Sequence, residues 1–202
     1  MFTGIIQAIG VVAARETTPG GDLRLYLHTG KLDLDDVRIG DSICVSGTCL
    51  TAVDLPGDGF WADVSAETLS CTTLGSLEVG ERVNLEKSLT PSTRMGGHLV
   101  SGHVDGIGTV REIHEDARSW RYRLEAPATL ARYIASKGSI CVDGVSLTVN
   151  EVDGAFFGLN IVPHTFRETT FADYRVGSRV NLEVDIIARY LERLLHADGD
   201  PG

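Results

Sequence analysis

The chain states one pattern twice, and the spacing between the copies limits what it can fold into. Ser42-Ile43-Cys44-Val45-Ser46-Gly47-Thr48-Cys49-Leu50-Thr51 returns as Ser139-Ile140-Cys141-Val142-Asp143-Gly144-Val145-Ser146-Leu147-Thr148, 97 positions later. Val79-Gly80-Glu81-Arg82-Val83-Asn84-Leu85-Glu86 returns as Val176-Gly177-Ser178-Arg179-Val180-Asn181-Leu182-Glu183, and Thr72-Thr73 as Thr169-Thr170, at the same offset of 97. Solenoid repeats run about 20 to 50 residues, so this period excludes a stacked array. It fits a duplicated domain of about 95 residues, long enough for each copy to bury a core of its own. Two like folds carry two like pockets.

Strand signals dominate both copies. Ser42–Val53 and Ser139–Val152 are rich in Val, Ile, Thr and Cys, and Gly47 and Gly144 interrupt them where tight hairpin turns are expected. Gly80 and Gly177 each precede an alternating run, Arg82 to Glu86 and Arg179 to Glu183, whose period of two predicts a strand with one buried face. Many short strands punctuated by glycine indicate a small β-barrel or sandwich in each half. One short helix per half is expected, at Asp33–Val37 and at Ala128–Ala135, the latter following Pro127. The Pro, Gly and Ser content of Thr90–Gly97 marks a linker. After it, Val100-Ser101-Gly102-His103-Val104 restarts the pattern of Phe2-Thr3-Gly4-Ile5-Ile6. From Asp185 the apolar residues Ile186, Ile187, Tyr190, Leu191, Leu194 and Leu195 fall at helical spacing, outside the repeat. Such a stripe must be buried, on its own barrel or against copies of itself, and periodicity does not choose. The tail 198–202 is expected to fray. These boundaries divide the chain into an N-terminal barrel at 1–97, a C-terminal barrel at 98–184, and a helix with its tail at 185–202.

Composition narrows the class of partner. The formal net charge is −10, which argues against nucleic acid and anionic membrane surfaces and otherwise serves solubility. No stretch approaches the roughly 20 apolar residues of a membrane span, and the first residues show no signal-peptide pattern, so a cytoplasmic location is the expectation. Cys44, Cys49, Cys71 and Cys141 include no CxxC pair and resemble neither a zinc site nor a disulfide framework. Cys44 and Cys141 occupy equivalent strand positions and read as small buried hydrophobes. Cys49 differs, because its counterpart is Ser146.

Three groups are candidates for chemistry. The run from Gly96 to Gly106 places His98 and His103 among four glycines, which leaves room for a ligand to approach, and imidazole suits proton transfer near neutrality. Either histidine also has an ordinary reading as a satisfied structural side chain, and no accompanying carboxylates or thiols favour a metal. Cys49 with Thr51, and Ser146 with Thr148, lie two apart and so share a strand face, although the threonines have a bland reading as edge contacts. Ala66-Glu67-Thr68-Leu69 and Pro163-His164-Thr165-Phe166 each follow a β-rich run and offer backbone amides to the edge of a flat heterocycle.

At these motifs the chain resembles the riboflavin synthase family of the α-subunit type. The likeness rests on Met1 to Ile6, Gly47 to Thr51, Glu67-Thr68-Leu69, Gly96 to Gly106, Lys137-Gly138-Ser139, Asp143 to Val149 and Pro163-His164-Thr165. It implies an all-β fold of two tandem six-stranded Greek-key barrels, with a C-terminal helix that joins three chains into a homotrimer. It further implies the dismutation of two molecules of 6,7-dimethyl-8-ribityllumazine to riboflavin and 5-amino-6-ribitylaminouracil, without metal or redox cofactor. The site is then shared between barrels of neighbouring subunits. Lumazine synthase, as an enclosing shell, is a further partner the resemblance suggests.

By the same resemblance Ser42, Cys49, His98, His103, Ser146 and Asp185 are the catalytic candidates. Substrate contacts fall on Gly4, Ile5 and Ile6; on Cys49, Leu50 and Thr51; on Asp63, Val64, Ser65, Ala66, Glu67 and Thr68; and on Gly102, His103 and Val104. In the second half they fall on Lys137, on Ser146, Leu147 and Thr148, and on Val162, Pro163, His164, Thr165, Phe166 and Arg167. Phe2 matches a position tied to activity. The rival class is a ligand-binding antenna protein of the same architecture, which generally lacks the glycine-histidine cluster.

Overall fold

The computed structural model describes residues 1–18 and 20–197. The expected frayed tail lies outside the described residues. Twelve strands are present among the described residues. In the first half they are β1 Ala8–Thr17, β2 Leu23–His28, β3 Ser42–Val45, β4 Thr48–Asp54, β5 Gly59–Val64 and β6 Arg82–Lys87. In the second half they are β7 Gly106–Asp116, β8 Ser119–Glu125, β9 Ser139–Val142, β10 Val145–Asp153, β11 Phe156–Ile161 and β12 Arg179–Val184. Each set closes into an antiparallel barrel, in the order β1-β2-β5-β4-β3-β6 and its equivalent β7-β8-β11-β10-β9-β12. In both, three hairpin-linked strands are followed by one that returns beside the first of them, which is a Greek key.

Alternation explains the strands. Leu23, Leu25 and Leu27 of β2 point inward and are buried against Ile43, Val45, Phe60 and Leu85, while Tyr122, Leu124, Phe157, Leu159 and Leu182 fill the second barrel. The hairpins fall where glycine predicts them. Ser46 and Gly47 have φ of 42° and 82°, and Asp143 and Gly144 have 43° and 83°, so both central residues of each two-residue turn are left-handed. That backbone suits the twist of the flanking strands and favours glycine. The two turns also face one another. A Cβ on Gly47 would lie 2.9 Å from the Gly144 nitrogen, and one on Gly144 would lie 3.0 Å from that of Gly47.

The expectation of one buried face for Arg82–Glu86 and Arg179–Glu183 is corrected, because both faces are buried. The inner face of each strand lies in its own barrel core, and the polar face is covered where the two halves meet. Asn84 Nδ2 donates to the carbonyl of Asp143 (2.9 Å), and its Oδ1 accepts from the Thr170 amide (2.8 Å). Asn181 repeats both contacts in reverse, donating to the carbonyl of Ser46 (2.7 Å) and accepting from the Thr73 amide (2.8 Å). A small apolar cluster of Phe2, Cys44, Val100 and Cys141 fills the same junction. Burial pushes both of these thiols up, so they behave as inert small hydrophobes.

Two other local expectations change. Asp33–Val37 forms a turn rather than a helix, because the Asp33 carboxylate accepts the Asp35 amide (2.9 Å) and competes with helical bonding. Ala128–Ala135 contains only a 3-10 turn, Ala131–Tyr133. The short helices lie elsewhere: α1 Ala66–Cys71, capped by Ser65, and α2 Pro163–Glu168, which begins on its proline. The last helix, α3 Ile186–Ala197, follows the expected periodicity. No helix among the described residues is long and apolar enough to cross a membrane.

The junction also buries one acid. Asp143 accepts from Tyr174 Oη (2.5 Å) and from the Asn181 amide (2.7 Å). Burial nevertheless pushes its carboxyl from 3.8 up to about 7. The folded state therefore holds more proton than the unfolded chain between these values, so this group's contribution to stability falls as pH rises from 3.8 to about 7 and is level above it. Asp143→Asn keeps an acceptor for Asn181 and removes the charge. Urea melts at pH values on either side of that window should show a flatter pH dependence in the variant, and higher stability than the parent above it.

Candidate active site

The two leading segments, residues 1–6 and 98–104, bring the candidate side chains together by crossing between barrels. Phe2 and Val100 pair as an antiparallel bridge, with amide-to-carbonyl distances of 2.8 and 3.1 Å. Beyond the bridge each segment runs onto the barrel of the other half. The Cys49 amide donates to the carbonyl of Gly102, and the Ser146 amide donates to the carbonyl of Gly4, each at 2.8 Å. Glycine is required at both points. A Cβ on Gly102 (φ 79°) would meet Cys49 Cβ at 2.7 Å, and one on Gly4 (φ 75°) would meet Ser146 Cβ at 2.6 Å.

The first pocket is a cavity of about 240 Å³ between β4, α1 and the second segment. Thr48 and Cys49 form one wall, Glu67, Thr68 and Cys71 another, and Gly102, His103 and Val104 close it. Cys49 is half-buried and His103 exposed, so a thiol and an imidazole face one space. Ser65 holds α1 in place by accepting the Thr68 amide (3.2 Å), and Thr72 Oγ1 donates to the carbonyl of Thr68 (2.7 Å). Ser42 pairs with Thr51, two pairs along the ladder from Cys44 and Cys49, and does not line the cavity. Leu50 and Val64 are buried in the barrel core, which leaves them main-chain contacts alone. Asp63 lies 3.5 Å from Arg24 on the barrel surface, and Ala66 is exposed at the start of α1.

The equivalent face of the second barrel differs in its ionisable groups. His98 Nδ1 and Ser146 Oγ form a hydrogen bond at 2.7 Å, and Gly97 packs so closely that a Cβ there would lie 2.8 Å from that hydroxyl. His98 Nε2 is buried without a partner among the described residues. Burial lowers the His98 pKa, against the opposing pull of the Asp185 and Glu183 carboxylates. The imidazole is thus neutral near pH 7 and able to accept a proton. Asp185 also starts α3 by accepting the Ile187 amide (3.0 Å).

Ile5 is exposed in the segment facing Ser146, while Ile6 and Leu147 pack on the second core. Thr148, His164 and Arg167 are exposed, Val162 and Pro163 begin α2, and Thr165 accepts from Thr169 Oγ1 (2.6 Å). Phe166 stacks flat on Trp120 with ring centroids 3.7 Å apart. Lys137 stands at the position of Gly40 with φ of 67°, a left-handed backbone that lysine rarely adopts.

Sequence reasoning missed the side chains that hold these segments. Glu86 and Glu183, both buried, accept the main-chain amides of residues 3–4 and 101–103. The signal was present: the repeated Val-Asn-Leu-Glu places an asparagine and a glutamate on the supposedly solvated face in both copies. Cys71 was also missed, because its counterpart Glu168 gives no repeat signal.

A family model of the lumazine binding domain matches residues 3–88 and again residues 101–185. The chain is 51% identical over 198 residues to the riboflavin synthase of Photobacterium phosphoreum, covering 98% of this chain and 90% of that one. It is 45% identical over 204 residues to the riboflavin synthase of Mycobacterium tuberculosis, covering 98% and 100%. It is 41% identical over 196 residues to that of Bacillus subtilis, covering 97% and 90%. Among solved structures, LumP complexed with riboflavin superimposes with a TM-score of 0.84 at 28% identity, covering 91% of this chain and 99% of LumP. LumP complexed with 6,7-dimethyl-8-(1'-D-ribityl) lumazine gives 0.82 at 28% identity, with the same coverage.

The two barrels differ most in the environment of His98, and this is measurable. In an NMR pH titration the His98 imidazole should titrate below 6.5, and Asp185→Asn, which removes one opposing charge, should move it lower still. A midpoint at or above that of free imidazole contradicts the assignment.

Proposed function

The chain belongs to the riboflavin synthase family of duplicated lumazine-binding domains, and from that premise we propose how its two pockets divide one reaction. The enzyme is a transferase of riboflavin biosynthesis. It takes two molecules of 6,7-dimethyl-8-ribityllumazine, moves a four-carbon unit from one to the other, and releases riboflavin and 5-amino-6-ribitylaminouracil. The observation that supports this reading is one repeated frame that carries unlike groups: Cys49 and His103 at the cavity of the first barrel, and Ser146, His98 and Asp185 at the equivalent place on the second. Two copies of one substrate then occupy equivalent frames in which only the proton-transfer groups differ. Holding them in register supplies much of the acceleration, up to roughly 7–11 kcal/mol for near-attack geometry.

The chemistry requires a proton to leave the C7 methyl group of the donor and a nucleophile to add at C7 of the acceptor. Cys49 and His103 are assigned to these steps in the first barrel, while Ser42 stands on the adjacent strand outside the cavity. In the second barrel the neutral His98, hydrogen-bonded to Ser146, takes or returns a proton. Backbone amides of α1 and α2 read the edge of the heterocycle, while Thr51, Thr68, Thr148, Thr165 and Lys137 are placed to hold the ribityl chain.

In the assembly we infer, the first-barrel pocket of one subunit faces the second-barrel pocket of a neighbour within a homotrimer. The outward stripe of α3 supports this. Ile187, Tyr190, Leu191, Leu194 and Leu195 are 55–70% exposed. The opposite side is tied to the second barrel by polar contacts: Glu192 accepts from Arg132 and Tyr133, and Arg189 donates to Asp105 (2.9 Å). Of the two sequence alternatives, the exposure of this stripe favours packing against copies of itself. A cytoplasmic location accords with four free thiols.

Purified protein incubated with 6,7-dimethyl-8-ribityllumazine should form one riboflavin for every two substrate molecules consumed, followed by absorbance. Binding without product would make it a ligand carrier. Cys49→Ser and His103→Gln should each lower kcat by about 10²-fold or more, and full activity in either would remove that group from its role. Leu191→Glu combined with Leu194→Glu should yield monomers by light scattering and lose turnover with the shared site.

A further inference from the structure

We propose that Glu86 and Glu183 are positioning residues that act crosswise: each carboxylate sets the geometry of the pocket on the barrel to which it does not belong. Glu183 lies on β12 and is 2% exposed. Its Oε1 accepts the Ser101 amide (2.7 Å) and hydroxyl (2.5 Å), and its Oε2 accepts the amides of Gly102 (2.9 Å) and His103 (3.1 Å). Glu86 lies on β6 and is 1% exposed. Its Oε1 accepts the Thr3 amide (2.7 Å) and hydroxyl (2.5 Å), and its Oε2 accepts the Gly4 amide (2.9 Å).

Each clamp then passes its geometry to the other half of the molecule. The residue that Glu183 grips, Gly102, accepts the amide of Cys49 on the first barrel. The residue that Glu86 grips, Gly4, accepts the amide of Ser146 on the second barrel. A carboxylate is required because every group converging on it is a donor. An amide side chain would turn an NH₂ group toward main-chain N–H groups and leave them buried and unpaired. The gripped segments have little freedom to settle elsewhere, since the positive φ of Gly4 and Gly102 and their close approach to Ser146 and Cys49 allow one seating.

The inference rests on the ligand-binding reading of both pockets for its functional meaning, but the crossed link itself is testable without ligand. In the full-length protein, Glu183→Gln should speed hydrogen exchange at the Cys49 amide by at least about tenfold and leave Ser146 unchanged. Glu86→Gln should do the reverse. With riboflavin as the probe, NMR titration of Glu183→Gln should show at least about tenfold weaker binding read at Cys49 and Thr68, with binding at Ser146 and Thr165 retained. Glu86→Gln should invert that pattern.

A purely structural role would loosen the carboxylate's own barrel or both pockets alike, and either result overturns the proposal, as does a folded variant that alters neither. If riboflavin perturbs neither pocket of the parent protein, the ligand-binding reading fails, while the exchange measurement still decides the crossed link. Should a Gln variant not fold, Ser101→Ala and Thr3→Val, which each remove one donor, should give the same crossed pattern with smaller amplitude. Equal effects at Cys49 and Ser146 would overturn it.

Discussion

The hydrogen bonds that Asn84 and Asn181 exchange between the barrels are the constraint on which the remaining architecture depends. Each side chain spends both its donor and its acceptor on the opposite half, at 2.7–2.9 Å. A buried amide left unpaired costs about 1–3 kcal/mol, so the arrangement is satisfied in one relative orientation and penalised in others. That orientation brings the Gly47 and Gly144 turns face to face and leaves a space filled by Phe2, Val100, Cys44 and Cys141. It also sends each leading segment onto the opposite barrel. The pockets are thus products of the junction rather than of either barrel alone.

Duplication supplies a symmetric frame, and substitutions within it supply chemistry. The turns, the asparagines, the glutamates and the two segments repeat almost contact for contact. The ionisable groups do not: Cys49 stands against Ser146, Ser46 against Asp143, Gly40 against Lys137 and Glu67 against His164. A dismutation needs this combination. Two identical molecules must be held alike and treated differently.

The final helix shows the same division between local pattern and assembly. Its polar contacts with Arg132, Tyr133 and Asp105 fix its direction, and its apolar stripe faces outward. Five large exposed hydrophobic side chains on one helix form a surface that water penalises, which is the ground for the proposed packing of equivalent helices.

Much of the fold was legible in the sequence because its determinants are local. A two-residue turn needs positive φ, which Gly47 and Gly144 announce, strands need alternation, and α3 needs apolar residues three and four apart. The failures were cases where a local signal had a competitor. Asp33 preferred an Asx turn to a helix, and the polar face of Arg82–Glu86 suggested solvent where the other barrel lay. Cys49, His103, Ser146 and His98 were identifiable as candidates, but the contact of His98 with Ser146 was not. Sequence by itself determined the duplication, the strands, the hairpins and the amphipathic helix, since each is written in residues close together. Only the tertiary structure decided which barrel each leading segment serves. The contacts responsible, Thr3 with Glu86 and Ser101 with Glu183, join residues 83 and 82 positions apart, and no short-range periodicity encodes them.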